Sequence, residues 1–299
     1  MLNRVLAFDF GGTKIAVAVG AADGRILSRS LLEARAEAGA GQAVERAVAE
    51  GRRLLGDGWS PDAVGVSSMG ITREDRVELA PNVPGWDRLA LPSRLRDAFG
   101  APVAILNDVK AAGLAELRWG ALQGVHQGIY VNLGTGIAVA LVCGGEVVTG
   151  ANEAAGEIGY CLRRPDEGPG AAAGHAPLEE WVAGAGLHRR AELELGRELS
   201  AAELAARARA DARALRLLED AAEQIVFQLT NLVIAFDPER VVIGGGLIRA
   251  LGGLLERLDG SLRSYVPFPP QVRLAVHVDD AGLLGAIALA IDQLTAEPG

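Results

Sequence analysis

Two stretches of the chain set residues capable of chemistry inside otherwise apolar runs. VLAFDFGGTKIAVAV (5–19) places Asp9, Gly11, Gly12, Thr13 and Lys14 in mid-run, and GIYVNLGTGIAVALV (128–142) places Gly134, Thr135 and Gly136 at the corresponding point. A phosphate-binding P-loop reads G-x-x-x-x-G-K-[ST] and opens a helix, and a dinucleotide fingerprint reads G-x-G-x-x-G before one. The first stretch is neither. After Lys14 it continues in β-branched residues to an Asp23-Gly24 turn, so its glycines join strand to strand as a hairpin. Glycines at such a tip let backbone N–H groups approach an anion, a lysine adds positive charge, and a carboxylate suits a hard divalent cation. The likeness of the two stretches reads either as an internal repeat, two similar sheets each offering N–H groups, or as chance similarity of two alternating strands.

The elements needed to position these residues follow from periodicity. Three strands reach about Leu31, and a helix with three-four apolar spacing covers Ala43 to Leu55, a β-β-β-α start. A strand VGVSSMGI, a loop TREDRVELAPNVPGWDRL, a helix PSRLRDAF and a strand PVAILND follow. The helix VKAAGLAELRWG begins where that strand ends, with Asn107 or Asp108 able to cap its first turn. A second strand pair runs through GIYVNLGTGIAVALVCGGEVV, and the segment from Thr149 to Pro177 is rich in glycine and alanine. Loops of that length are usually functional or disordered. Helices dominate from Leu178, among them a buried one from Ala214 to Phe236 that ends at Asp237-Pro238. ERVVIGGGLI reads as a strand, three glycines (Gly244, Gly245, Gly246) and a helix start, VRLAVHV as a last strand and GLLGAIALAIDQL as a last helix. Glycines between strand and helix permit close approach of a phosphate or an adenosine, although a tight turn needs them equally.

Composition narrows the classes of function. The 299 residues are 49% hydrophobic, enough for one large domain or two lobes. Formal charge is −9, which argues against a nucleic-acid surface. No apolar run reaches membrane-spanning length and the N-terminus lacks a signal-peptide pattern, so the expected location is cytoplasmic, with no membrane partner. Cys143 and Cys161 are the only cysteines and read as free thiols. Lys14 and Lys110 are the only lysines, both beside aspartate motifs, which reads equally as function or as a general preference for arginine.

Taken together, DFGGTK (9–14), PNVPGW (81–86), Asn107-Asp108, LGTGIA (133–138), AGEIGY (155–160), LEEWVAGAG (178–186) and VVIGGGLI (241–248) resemble the ROK family of bacterial sugar kinases and repressors. The resemblance covers nearly the whole chain. It implies an α/β, two-lobed actin/hexokinase-like (ribonuclease H-like) fold with duplicated β-β-β-α cores and an interlobe cleft. The expected lobes are 1–107 plus 281–299, and 108–280 with a helical C-terminal part. The implied activity is ATP-dependent phosphorylation of the terminal hydroxyl of a hexose, a glucokinase first, with kinases for N-acetylmannosamine, fructose, mannose or allose as neighbours. Asp108 becomes the expected general base, since the attacking hydroxyl must lose its proton. Gly11, Gly12, Thr13, Lys14, Gly134, Thr135, Gly136 and Gly244 to Gly246 become the ATP-binding set, with Asp9 holding Mg²⁺ through water. Gly70, Asn82, Asn107, Asp108, Glu157, Tyr160 and Glu179 become the sugar-binding set. A homo-oligomer, dimer or tetramer, is also implied.

The sequence departs from the family at one place. Most members carry a histidine and three cysteines that hold a structural zinc, and in register those positions are Tyr160, Gly170, Ala172 and Pro177. Loss of all four donors reads as removal of the whole site, so no structural zinc is expected. The family's histidine also contacts sugar, so Tyr160 alters that contact and leaves the choice of hexose open. A repressor is disfavoured because the first strand starts at Leu2 to Val5 with no helix-turn-helix before it. A non-catalytic sugar-binding regulator stays open, with both glycine turns counting against it.

Overall fold

The computed structural model describes residues 4–35, 37, 39–78 and 84–295. They group into two compact units, Met1–Arg118 with Asp279–Gly299, and Trp119–Val278.

The first unit opens with β1 (Arg4–Phe10), β2 (Lys14–Ala21) and β3 (Ile26–Glu33), followed by α1 (Ala40–Leu55), β4 (Ala63–Ser68), β5 (Ile71–Thr72) and β6 (Val77–Glu78). It continues with α2 (Leu91–Phe99), β7 (Val103–Asn107) and α3 (Asp108–Trp119), and it takes in the chain's last helix, α9 (Ala281–Thr295). Its main sheet has the order β3-β2-β1-β4-β7, antiparallel across the first three strands and parallel from β1 to β7. Alternation along β1 divides its side chains between two faces. Leu6, Phe8 and Phe10 join one core, where Phe8 stacks on Phe10 at 5.7 Å and Phe10 meets Trp86. Ala7 and Asp9 point to the opposite face, which α9 covers. The helix lies so close that a Cβ on Gly65 would fall 1.9 Å from the Ala286 carbonyl oxygen, and one on Gly285 would fall 1.9 Å from that of Ala111. Backbone contact of this kind admits only glycine, and it fixes α9 between β4 and α3.

The second unit comprises β8 (Gln127–Leu133), β9 (Ile137–Cys143), β10 (Glu146–Val147), α4 (Glu179–Val182), α5 (Gly184–Leu195), α6 (Ala201–Ala208), α7 (Ala212–Phe236), β11 (Arg240–Gly244), α8 (Leu254–Tyr265) and β12 (Gln271–Leu274). Its sheet order, β10-β9-β8-β11-β12, and its strand directions repeat those of the first unit position for position. The likeness of the two glycine hairpins is therefore a true repeat: each joins the central strand of a sheet to the next one. Ile129, Val131, Leu133, Val241 and Ile243 form the sheet face of the core, closed by Leu217, Ala221, Ile225 and Leu229 of α7. The Asp211 carboxylate caps α7 by accepting the Arg213 N–H at 2.9 Å. Asp237 ends it in the left-handed region (φ 52°), ahead of Pro238.

Several sequence expectations need correction. The strand read into VRLAVHV stops at Leu274, whose pairing with Ile243 is the last of its ladder with β11, and the Ala275 N–H makes the final bond to the Ile243 carbonyl at 2.9 Å. The strand VGVSSMGI is cut after Ser68; Gly70 turns the chain at φ 72° and Ile71–Thr72 pairs back on Val77–Glu78, a small hairpin inside what reads as loop. The helix expected from Ala43 begins at Ala40. The first unit runs through Arg118 instead of ending at Asn107, since α3 packs on α9 and Arg118 pairs with Asp292. Between Thr149 and Pro177 the described structure is turns, with 3₁₀ turns at Ile158–Tyr160 and Ala171–Ala173.

Candidate functional site

In the first unit, β1 carries Asp9 to its last turn of pleat. The carboxylate accepts the Ser67 hydroxyl at 2.6 Å and lies against the first turn of α9, where a Cβ on Gly282 would sit 2.7 Å from Oδ1. Burial pushes the Asp9 carboxyl above its ordinary value, the Ser67 hydroxyl opposes that rise and the charge of Asp280 adds to it. Among the described residues Asp9 makes no ion pair. Asp9 is a buried carboxylate held by the Ser67 hydroxyl, with Asp280 near it and itself paired with Arg29 at 2.6 Å, and oxygen donors of this kind fit a hard cation such as Mg²⁺. Ser67, Asp280 and Gly282 were not predicted as site residues. The one signal for them was a glycine two residues into an otherwise apolar helix, where it costs about 1 kcal/mol relative to alanine.

Four residues, Gly11 to Lys14, separate the paired Phe10 and Ile15, and three, Gly134 to Gly136, separate Leu133 and Ile137. The two turns close alike: Gly11 N–H donates to the Lys14 carbonyl and Gly134 N–H to the Gly136 carbonyl, each at 3.0 Å. The next two N–H groups in each, those of Gly12 and Thr13 and of Thr135 and Gly136, donate to nothing among the described residues. Successive N–H groups without partners at the tip of a turn form an anion-binding concavity. Gly12 strengthens this reading, because a Cβ there would meet nothing within 4 Å and its φ is not positive, so the fold itself does not require glycine. The triplet at 244–246 divides differently. Gly245 has φ 90° with a Cβ position 2.2 Å from the Leu133 carbonyl oxygen, and one on Gly244 would strike the Tyr130 hydroxyl at 2.6 Å. Those two are glycine for packing, and only Gly246 faces open space. Lys14 is exposed, whereas Lys110 is 2% exposed and belongs to the body of α3.

Asn107 and Asp108 stand at the junction of β7 and α3. Asn107 Oδ1 accepts the N–H groups of Val109 at 3.0 Å and Lys110 at 3.4 Å, and its amide donates to the Gly70 carbonyl at 3.3 Å. Asp108 also accepts the Val109 N–H, at 2.9 Å, while remaining exposed. Asn107 thus takes two N–H groups of the first turn of α3 and Asp108 one. Asn82 lies outside the described residues.

In the second unit, Glu157, Tyr160 and Glu179 come together. Tyr160 is half-buried, and burial first, then the charges of Glu157 and Glu179, push its hydroxyl above the ordinary value. Glu179 opens α4 and its carboxylate accepts the Ile137 N–H at 3.0 Å, which ties it to the turn at Gly134–Gly136. Burial raises the Glu179 carboxyl, the Ile137 N–H lowers it and Glu180 raises it again. The same turn is braced from behind, where Gly184 N–H and Ala185 N–H donate to the Gly134 and Thr135 carbonyls at 2.9 and 3.1 Å. A donor hydroxyl between two acceptor carboxylates suits a polyhydroxylated ligand. Tyr160, Gly170, Ala172 and Pro177 supply neither thiolate nor imidazole, and among the described residues no group of three or more His, Cys, Asp or Glu is placed to hold a metal ion.

Two sheets of the same order, each opening on a hairpin with exposed N–H groups, are the actin-like two-domain α/β fold. The chain belongs to the ROK family, whose sequence profile matches residues 5–293. The hexokinase of that family from Thermus thermophilus is 32% identical, with a TM-score of 0.84 over 98% of this chain and 99% of that one. A ROK family glucokinase from Streptomyces griseus, solved with glucose and AMPPNP, is 28% identical with a TM-score of 0.76 over 97% and 100%. The bifunctional enzyme NanE/NanK of Brucella melitensis is 32% identical over 96% of this chain, which spans only 54% of that enzyme's length.

Proposed function

We propose that this protein is an ATP-dependent sugar kinase that phosphorylates the terminal hydroxyl of a hexose, glucose in the first instance. The observation that carries the reading is the pair of equivalent glycine turns, each presenting two successive N–H groups with no partner among the described residues. The glucose and AMPPNP bound by the Streptomyces relative support both ligand classes. Phosphoryl transfer demands positioning and charge neutralisation more than covalent chemistry from the protein. Bound Mg-ATP supplies the phosphoryl group and a cation that spreads its charge. Asp9, with Ser67 fixing its orientation, would hold that cation through water, and Lys14 would add positive charge beside the first turn. N–H groups of Gly12, Thr13, Thr135 and Gly136 would receive phosphate oxygens, and Gly246 would leave room for the rest of the nucleotide.

Asp108 would accept the proton of the sugar hydroxyl as its oxygen bonds to the γ-phosphorus and the bond to the bridging oxygen of ADP breaks. Gly70, Asn82, Asn107, Glu157, Glu179 and Tyr160 would contact the sugar, with the Tyr160 hydroxyl setting which hexose fits. N-acetylmannosamine, mannose, fructose and allose are the competing substrates, and a sugar-binding regulator is the competing function. Measured ADP release from Mg-ATP against glucose, mannose, fructose, allose, N-acetylglucosamine and N-acetylmannosamine tests the proposal, with Asp108→Asn as control. Turnover on one sugar that disappears in the variant is expected. Sugar binding without turnover on any of them would overturn the kinase and favour the regulator.

A further inference from the structure

The segment 161–177 leaves the Glu157–Tyr160 turn and returns at Leu178, beside Glu179, with no helix or strand beyond one 3₁₀ turn. Seventeen such residues need ties if the residues at their two ends are to hold fixed positions. The ties are specific. Gln228 of α7 donates to the Leu162 carbonyl at 2.7 Å. Arg163 makes a two-pronged pair with Glu167, Nε at 2.8 Å and Nη2 at 2.7 Å, and the N–H groups of Arg163 and Gly168 donate to the same carboxylate. The Glu167 side chain is 6% exposed, and these donors hold its carboxyl down to about 2. A charge buried to this degree is tolerable only when so fully satisfied.

The pair does not stand alone. The Arg163 guanidinium lies over the Trp181 ring at 4.1 Å, and Arg190 of α5 lies over the same ring at 3.7 Å while donating to the Trp181 carbonyl and to Asp220 of α7. At the other end of the segment, His175 and the Ala176 N–H both bind the Glu180 carboxylate at 3.1 Å. The segment therefore grips Glu180 and Trp181, the two residues that follow Glu179 in a helix only four residues long.

We infer that the Arg163–Glu167 pair, seated on a Trp181 ring held by Arg190, is a metal-free staple that positions Glu179 and Tyr160. Arg163, Glu167, Trp181 and Arg190 are positioning residues: they act on the sugar through Glu179 and Tyr160. The assignment deepens the sugar-kinase reading, and the pair lies in the same stretch of chain as Gly170, Ala172 and Pro177, three of the positions where related chains carry zinc donors.

The test is Glu167→Gln against Arg163→Lys and the unaltered protein, each with and without EDTA, read by amide hydrogen exchange over 161–182 and by the KM and kcat for the sugar. Glu167→Gln is expected to speed exchange in this segment about tenfold or more while leaving β1 to β4 unchanged. It is also expected to raise the sugar KM about tenfold with kcat within about threefold, and Arg163→Lys to recover part of both. EDTA should move neither reading. Unaltered exchange in Glu167→Gln, or an EDTA effect as large as the substitution, overturns the staple. Should Glu167→Gln fail to fold, Trp181→Leu takes its place with the same expectations. Exchange decides the matter even if no sugar is turned over, so failure of the staple is distinguishable from failure of the kinase reading.

Discussion

The Glu179 carboxylate accepts the Ile137 N–H at 3.0 Å while occupying the space a side chain on Gly136 would need, since a Cβ there would lie 2.4 Å from Oε2. One residue of the second glycine turn is thus glycine so that a carboxylate from α4 can reach its backbone. Gly136→Ala should drive Glu179 off Ile137. A hydrogen bond to a charged group contributes about 1.5–3 kcal/mol, so the sugar KM is expected to rise roughly tenfold or more. Gly134→Ala, whose Cβ would meet only Asn132 Nδ2 at 3.4 Å, should leave the sugar KM near the unaltered value. Steady-state kinetics on the two variants check the pair, and equal effects would remove the special role of Gly136.

Gly12 and Gly245 test opposite reasons for a glycine. At Gly12 the structure leaves open space and an ordinary φ, so Gly12→Ala should keep the melting temperature within about 2 °C while raising the KM for ATP several-fold. At Gly245 a positive φ and the Leu133 carbonyl oppose any Cβ, so Gly245→Ala should lose about 2 kcal/mol or more of stability. Thermal melts and ATP titrations on both variants separate ligand approach from backbone packing. An unchanged KM for ATP in Gly12→Ala would detach that turn from phosphate binding.

Asn107 and Asp108 both accept the Val109 N–H at the start of α3, and substitution separates what each contributes. Asn107 takes two amides of the first turn of α3, so Asn107→Ala is expected to cost about 1 kcal/mol of stability as a lost cap. Asp108→Asn keeps a side-chain oxygen for the Val109 N–H, and its kcat should fall at least about a thousandfold, some 4 kcal/mol in the barrier, far more than its change in melting temperature would account for. A melt that drops with kcat would return Asp108 to a structural role.

Much of this architecture was legible because strand alternation and helical spacing are local. The two glycine hairpins, a cap at Asn107 or Asp108, and α7 with its Asp237-Pro238 end all declare themselves in a few consecutive residues. What stayed hidden depended on distant partners. β12 stops at Leu274, where its ladder with β11 ends, which VRLAVHV does not encode, and the β5–β6 hairpin is too short to show a period. Ser67, Asp280 and Gly282 lie 58 residues or more from Asp9 along the chain; the pairing of β1 with β4 brings Ser67 to it, and the packing of α9 on that sheet brings the other two. The glycines at 244–246 looked alike in sequence; the positions of Tyr130 and Leu133 distinguish them. Lys14 stood out in the sequence by its place beside the glycine turn, whereas the burial of Lys110 in α3 shows only in the structure.

Asp9 leads to a pH dependence whose sign is fixed by its surroundings. Burial and the Asp280 charge raise its carboxyl, so the folded protein holds that proton more tightly than the unfolded chain. The resulting stabilisation is full below about pH 4, the ordinary aspartate range, and is lost as pH rises through the raised value. Without a divalent cation the protein should therefore melt lower as pH climbs through that window, and Mg²⁺ should restore stability on the alkaline side by binding the ionised form. Asp9→Asn removes both effects: it can still accept the Ser67 hydroxyl, it carries no buried charge, and it offers no anion to the cation. Its melting temperature at neutral pH is expected to equal or exceed that of the unaltered protein and to ignore Mg²⁺, while turnover with Mg-ATP collapses. Thermal melts across pH with and without Mg²⁺ supply the check, and a melt of Asp9→Asn that falls well below the unaltered protein would mean that the carboxylate is structural and not a cation ligand.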